Sequence, residues 1–287
     1  MAALETRFGG QAVIEGVMMR GPRVVAVAVR RPDNEIALRR EVFRSWGQAH
    51  PWLRWPLLRG VAALGEALIL GVRALFFSAN EAVGQEEELG RGAVALTLVV
   101  SLAAGVGIFV LLPTWASGLL RPVLPSGVAL NLVEGTLRLG ILLGYLAGVS
   151  RLPDIRRVFE YHGAEHKVIH AVEAGEPLTV ERVRRFSIHH PRCGTSFLLL
   201  VAVVTVFLFA FFGWPPLWER LAIRVLLLPV VAGVAFELLK LSAASSLPVL
   251  RQLAAPGMWL QRWTTREPDD AQLEVAIRAL EGARDPL

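Results

Sequence analysis

The segment EYHGAEHKVIH, residues 160–170, sets three imidazoles four residues apart, with a carboxylate directly before the middle one. On a helix, positions i, i+4 and i+8 climb one side with a drift of about 40° per step. His162, His166 and His170 therefore face nearly the same way. A single histidine on a helix is ordinarily part of a solvated face. Neutral imidazoles converging from one face are what a divalent metal requires. The order His162-x-x-Glu165-His166 is also that of the inverted zincins. There, two histidines hold zinc and the glutamate is general base toward water. A catalytic zinc takes a third protein ligand and keeps one position open. His190, Cys193, His170, Glu173 and Glu237 are the candidates, and thiolate softness favours Cys193. If His190 and Cys193 both joined His162 and His166, the centre would be a closed Cys–His₃ tetrahedron, the pattern of a structural metal. Cys193, beside His190 and Arg192, also has a nucleophile reading, but no Asn or Asp stands ready to orient the base.

These residues need a helix and a turn. Pro153 and Asp154 suit a helix start and Gly175 its end, which predicts about 20 helical residues carrying the histidines. Thr179 is placed to cap a second, shorter helix. In FSIHHPRCGTSF, 186–197, Pro191 and Gly194 predict a turn carrying His189, His190 and Cys193.

Around them the chain reads as a polytopic membrane protein. Hydrophobic residues make up 54% of the 287 and charged ones only 19%, with long neutral runs between basic loops. The net charge of +5 is therefore read loop by loop and gives no nucleic-acid footprint. One cysteine excludes an intrachain disulfide. The start MAALETRFGGQ lacks an apolar core, so no cleavable signal peptide is expected. Transmembrane helices are predicted at 92–112, 128–149, 196–214 and 220–241. Residues 56–79 differ: Arg59, Glu66 and Arg73 recur every seven residues as one polar stripe on an apolar helix. Loop charge decides its placement. Residues 1–55, 150–195 and the tail beyond 240 are basic, and the loops 113–127 and 215–219 are not. Four crossings put every basic region inside, with both termini cytoplasmic; a fifth at 56–79 would not. That segment is therefore expected to be an interfacial or re-entrant helix, which also keeps the acidic loop 81–91 cytoplasmic.

The fold class that follows is an α-helical polytopic membrane protein. It comprises a β-rich N-terminal cytoplasmic region (1–55), the amphipathic helix (56–80) and a transmembrane hairpin (92–149). A cytoplasmic His/Cys-rich helical region (150–195), a second hairpin (196–241) and a cytoplasmic C-terminal region (242–287) complete it. In the first region, 24–31 and 35–43 flank the turn residues Pro32, Asp33 and Asn34, so a hairpin is expected. Upstream, FGGQAVIEGVMMRGP, 8–22, has glycines but is neither a P-loop nor a dinucleotide fingerprint. Glu15 within it is a ligand, a salt-bridge partner or an exposed turn residue. Inside the spans, Glu134 and Arg138 are expected to pair with each other or with the 59/66/73 stripe. Glu237 is a membrane-side ligand or proton relay. In the tail, Trp259 and Trp263 suit an interfacial anchor, and Glu267, Asp269 and Asp270 suit helix capping. Leu273, Val275, Ala276 and Leu280 form a docking stripe.

FGGQAVIEGVMMRGP, EYHGAEHKVIHAVEAG, HPRCGTSFLLLV and LQRWTTREPDDAQLEVAI together resemble the YqhQ-like family of bacterial multi-spanning membrane proteins, over nearly the whole chain. The resemblance implies a metal-dependent enzyme of unknown substrate in the bacterial cytoplasmic (inner) membrane. It supports His162, Glu165, His166, His190 and Cys193 as the motif core, with His170 less secure. Three functions are carried forward. The first is a zinc-dependent hydrolase acting on a lipid or peptide at the cytoplasmic face, with membrane lipids around it. The second is a non-enzymatic factor with a structural metal, an accessory to the translocon or ribosome. The third is a divalent-ion transporter, disfavoured because two spans carry no charge.

Overall fold

The computed structural model describes residues 8–83, 91–244, 252 and 255–284. Four strands, β1 (Gly9–Val13), β2 (Gly16–Arg20), β3 (Val24–Arg30) and β4 (Ile36–Val42), form one antiparallel meander in sequence order. The expected hairpin is β3–β4, with Asn34 in the left-handed region at φ 68°. β1 and β2 form a second hairpin, in the stretch read only as glycine-rich; its turn uses Glu15 at φ 51°. Strand alternation is partial because both faces of the sheet are covered. Val17, Met19, Ala26 and Ala28 face one apolar core; Val13, Met18, Val25, Val27 and Val29 face another.

A short helix α1 (Trp46–Ala49) and a single 3₁₀ turn lead to α2 (Leu58–Val83), which supplies the second core with Leu70 and Ala74. α2 is one unbroken helix of 26 residues, longer than the expected 56–79 segment at its far end and without a re-entrant break. Two members of its stripe, Arg59 and Glu66, are paired inside the protein. Arg59 forms an ion pair with Glu237, and buried Glu66 accepts from Arg20, the Ser45 hydroxyl and the Trp46 amide.

The next apolar segment is continuous but irregular: α3 (Arg91–Val106), a π-helical turn at Gly107–Leu111, then α4 (Leu112–Gly118). It extends six residues past the expected 92–112. α5 (Gly127–Val149), α6 (Pro153–Glu173) and the single turn α7 (Val180–Val183) follow. α8 (Gly194–Ala210) and α9 (Leu217–Ala244) form the second hairpin. Among the described residues, four helices are long and apolar enough to cross a membrane: Leu58–Val83, Leu96–Gly118, Gly127–Val149 and Leu217–Ser242. The set differs from the expected one at two places. α2 joins it, and α8 falls short with 17 residues because it ends at Ala210 rather than 214. At about 1.5 Å per residue α8 is roughly 25 Å long, a few ångströms under the hydrocarbon thickness.

α10 (Ala255–Thr264) and α11 (Asp270–Arg284) close the chain. Asp269 and Gln272 cap α11 reciprocally: the Gln272 amide donates to Asp269 Oδ1 at 2.8 Å, and the Asp269 amide to Gln272 Oε1 at 2.9 Å. The docking stripe is real, with Leu273, Val275, Ala276 and Leu280 all fully buried in the core shared with α6 and the sheet. The N-terminal, middle and C-terminal pieces thus form one body, with the sheet between α2 on one side and α6 with α11 on the other. Parts of the acidic loop and of the 242–287 region lie outside the described residues.

α6 starts at Pro153 and ends before Gly175, whose φ of 69° and amide bond to the Val172 carbonyl (3.0 Å) make the left-handed stop. Gly163 fixes how closely α6 meets the segment after α10. A Cβ there would lie 2.0 Å from the Arg266 carbonyl oxygen, a backbone atom. Gly163→Ala is therefore expected to cost about 1–3 kcal/mol, read as a melting temperature several degrees lower in detergent; an unchanged melt would show the approach is not this tight.

Candidate metal centre

One face of α6 is committed to packing. Tyr161, Ala164, Val168 and Ala171 are buried in the core with the sheet and α11. The opposite side presents His162, Glu165 and His166 toward β1 and the 186–193 turn. The His162 and His166 rings sit 4.5 Å apart.

Two backbone carbonyls fix the state of these rings. His162 Nδ1 lies 2.7 Å from the Thr264 carbonyl oxygen and His166 Nδ1 lies 2.5 Å from that of Ile188. A carbonyl only accepts, so both Nδ1 atoms carry the proton, and in the neutral ring both Nε2 atoms are bare. His162 Nε2 is 3.1 Å from Cys193 Sγ. His166 Nε2 is buried with no hydrogen-bond partner among the described residues. Such an orphan is costly unless something electron-poor occupies its lone pair. The donor atoms of His162, His166 and Cys193 lie within 4.8 Å of one another. Cys193 is the N-cap of α8, its sulfur accepting from the Thr195 amide at 3.4 Å.

The electrostatics of His166 agree with ligand duty, whereas the Cys193 thiol would need a bound ion to give up its proton. Burial holds His166 down at about 2, reinforced by its His162 neighbour, so it is neutral at any ordinary pH. Burial also pushes the Cys193 thiol up, against the two bonds from Thr195. Burial raises the Glu165 carboxyl to about 7, opposed by His162 and by the Gly10 amide and assisted by Cys193. The donor set fits a borderline-soft ion such as zinc. Both imidazoles are also oriented by carbonyls in the way metal-binding histidines require.

A cleft of about 500 Å³ opens on this centre, walled by Phe8, Gly10, Ala67 of α2 and Phe159, with Glu165 and Cys193 at its base. Glycine at residue 10 leaves Glu165 its place beside β1: a Cβ there would lie 2.7–2.8 Å from the Glu165 side chain and displace it.

His190 stands beside the trio, grouped instead with His170 and Glu173. The Arg192 amide donates to His190 Nδ1 at 3.2 Å, which leaves the proton on Nε2, 3.4 Å from Glu173 Oε2. Glu173 is itself ion-paired with Arg192, and His170 Nε2 donates to the His189 carbonyl at 2.9 Å. This second group is satisfied by hydrogen bonds. The structure therefore brings together three of the four expected ligands, with Glu165 adjacent. Glu15 is held elsewhere, in an ion pair with Arg157 and accepting from the Tyr161 hydroxyl at 3.2 Å. Glu237 is the α9 partner of Arg59. Sequence reasoning missed Gln261, fully buried, which clamps the His190 backbone with 2.8 Å bonds to both its amide and its carbonyl. It also missed the role of Gly10. The signal for it was the Gly9-Gly10 pair opening an apolar strand, a mark of close backbone approach.

Because Glu165 is raised in the folded state, its favourable share of stability is complete below its unfolded value and disappears as pH rises through about 7. In metal-free protein, Glu165→Gln is expected to gain on wild type between pH 5 and 8, by on the order of 3 kcal/mol. Melting curves in chelator at several pH values measure this. A constant difference across that range would mean the carboxylate is not desolvated.

The profile of the family described as "Protein of unknown function (DUF1385)" matches residues 55–285. The "Uncharacterized protein YqhQ" of Bacillus subtilis (strain 168) is 40% identical over 291 residues, covering 95% of this chain and 90% of that protein. No solved structure matches. With four fifths of its length under the family profile and a relative this similar end to end, the chain belongs to the DUF1385 family, alongside YqhQ.

Proposed function

We propose that this protein is a zinc-dependent membrane hydrolase working at the cytoplasmic face on a lipid or peptide. The observation that carries the reading is the convergence of two bare imidazole nitrogens and a thiol at the base of an open cleft, with Glu165 beside them. His162, His166 and Cys193 would hold the ion, which would supply Lewis acidity toward water and toward a substrate carbonyl or phosphoryl oxygen. The Thr264 and Ile188 carbonyls keep the two rings aimed. Glu165, near 7, exchanges a proton at little cost at neutral pH, as a general acid–base must. Its oxygens are not among the donors clustered within 4.8 Å, which favours proton transfer over ligation and leaves a coordination position free. Phe8, Ala67 and Phe159 give the cleft apolar walls next to α2, suited to a substrate that arrives along the membrane.

A parity argument supports the topology. The sheet, α6 and α11 share one core, so they lie on one side of the membrane. An even number of crossings must separate β4 from α6, and again α6 from α11. α3–α4 with α5 satisfies the first pair, and α8 with α9 the second. α2 then cannot cross, in keeping with its far half being covered by the sheet. The basic segments support a cytoplasmic body in a bacterial inner-membrane protein. Reporter fusions after residue 124 and after residue 215 are expected to be active only outside, and a fusion at the C-terminus only inside; α2 crossing would reverse the first result.

Purified wild type is expected to hold one zinc per chain, lost in both His166→Ala and Cys193→Ala and kept in His190→Ala. Glu165→Gln should keep the zinc but lower hydrolysis of quenched casein peptides or vesicle phospholipid by about 10²-fold or more. Zinc loss in His190→Ala as well would indicate a closed, structural centre. No zinc in wild type after chelator-free purification would overturn the proposal.

A further inference from the structure

The far end of the helical bundle holds a second polar constellation, unrelated to the histidines. Glu134 of α5 is almost fully buried (1% exposed) and serves two arginines. Arg138 Nη2 donates to its Oε1 at 2.7 Å and Arg224 Nη2, from α9, to its Oε2 at 2.5 Å. The Thr114 hydroxyl donates to Glu134 Oε1 and accepts from Arg224 Nη1, both at 2.7 Å. The irregular span supplies the remaining partner. Pro113 has no amide for the carbonyl four residues back, so the Phe109 oxygen is free to accept Arg138 Nε at 2.9 Å.

One turn before Arg224 lies Arg220, 9% exposed, its guanidinium 3.9 Å over the Trp214 ring. Its Nε and Nη1, and Nε of Arg224, are buried and have no partner among the described residues. Three guanidinium groups, Arg138, Arg220 and Arg224, face one carboxylate, Glu134. Three minus one leaves two positive charges uncompensated inside an apolar bundle. Unpaired charge in hydrocarbon surroundings costs enough that it is ordinarily matched by a counter-charge. Among the described residues no second carboxylate pairs with these arginines. The exposed rings of Trp115, Phe211 and Trp218 surround the same end, in the manner of residues at a headgroup boundary.

We propose that Arg220 and Arg224, backed by Arg138, form a binding site for a phosphate-class anion at the bundle end opposite the candidate metal centre. The unpartnered N–H groups are the donors, and the planar guanidinium fork is matched to a phosphate's oxygens. The two sites are far apart. Sixteen residues of α5 separate Glu134 from Ser150, roughly 24 Å of helix rise. The ligand is therefore not the substrate in the cleft. Its phosphate comes from a lipid headgroup of that leaflet or from the free anion, and the experiment separates the two.

Full-length protein in neutral detergent is titrated with short-chain phosphatidylglycerol, with a neutral glycolipid of the same chains, and with inorganic phosphate at constant ionic strength. Binding is read as a thermal shift. Stabilisation by phosphatidylglycerol alone assigns a lipid headgroup; stabilisation by phosphate as well assigns the anion itself. Arg220→Gln leaves the Glu134–Arg138–Arg224 network whole, so the variant is expected to fold. It should weaken binding about tenfold or more, the worth of one charge-assisted hydrogen bond. If it does not purify folded, Arg220→Lys, which keeps the charge and loses the fork, is read in its place with a smaller loss. The proposal is overturned if phosphatidylglycerol does no more than the glycolipid and phosphate does nothing. It is equally overturned if the Arg220 variant responds like wild type. Unchanged zinc content in the same variant separates this result from the fate of the hydrolase reading.

Discussion

Two backbone carbonyls decide what the histidine cluster is able to be. Thr264 and Ile188 take the Nδ1 protons of His162 and His166 and so leave both Nε2 lone pairs turned inward. Were those protons on Nε2, the same rings at the same spacing would turn two N–H donors inward, with no lone pair there to offer an ion. The neighbouring group shows the contrast. His190 receives a proton donor at Nδ1, keeps its own on Nε2 and gives it to Glu173. Within a few ångströms, three rings of one residue type are divided into two chemistries by the backbone atoms they meet.

Those carbonyls are held in place by the rest of the fold. Thr264 is at the end of α10, and Arg266 just beyond donates its amide to the Phe159 carbonyl of α6 at 2.9 Å. The Ile188 turn is held by Gln261 at His190, and by buried Lys167, whose ammonium donates to the Arg184 and Phe186 carbonyls at 2.8 Å. The centre is thus assembled from four separate parts of the chain: β1, α6, the turn before α8, and α10. Small residues let these parts meet, through Gly10 against Glu165 and Gly163 against the Arg266 carbonyl.

Charge inside the bundle follows a similar logic. Every ionised group of the α2 stripe for which a partner is recorded finds it on another element: Arg59 on α9, Glu66 on β2 and the α1 entry. Among the described residues the Glu134 cluster is unbalanced, and that imbalance is what distinguishes it from structural pairing. Glu134 and Arg138 do pair with each other, as their spacing suggests, but Arg224 arrives from a helix ninety residues away in sequence and changes the sum.

The sequence by itself determined the elements whose signals are local. The α6 helix was bounded by Pro153 and Gly175, and the β3–β4 turn by Pro32, Asp33 and Asn34. The α11 cap and docking stripe, the turn at Cys193 and three of the four expected long apolar helices were equally legible. It determined as well that His162, Glu165 and His166 share a helix face, since that follows from 3.6 residues per turn alone. Tertiary structure decided the rest. β1 and β2 escaped notice because a sheet covered on both faces loses the alternation that reveals a strand. The exclusion of His190 from the trio, the confinement of Glu15 and Glu237 to ion pairs, and the arrival of Arg224 beside Glu134 each depend on a contact between distant segments. No spacing rule reports such contacts, because which nitrogen keeps its proton is set by the carbonyl or amide packed against it.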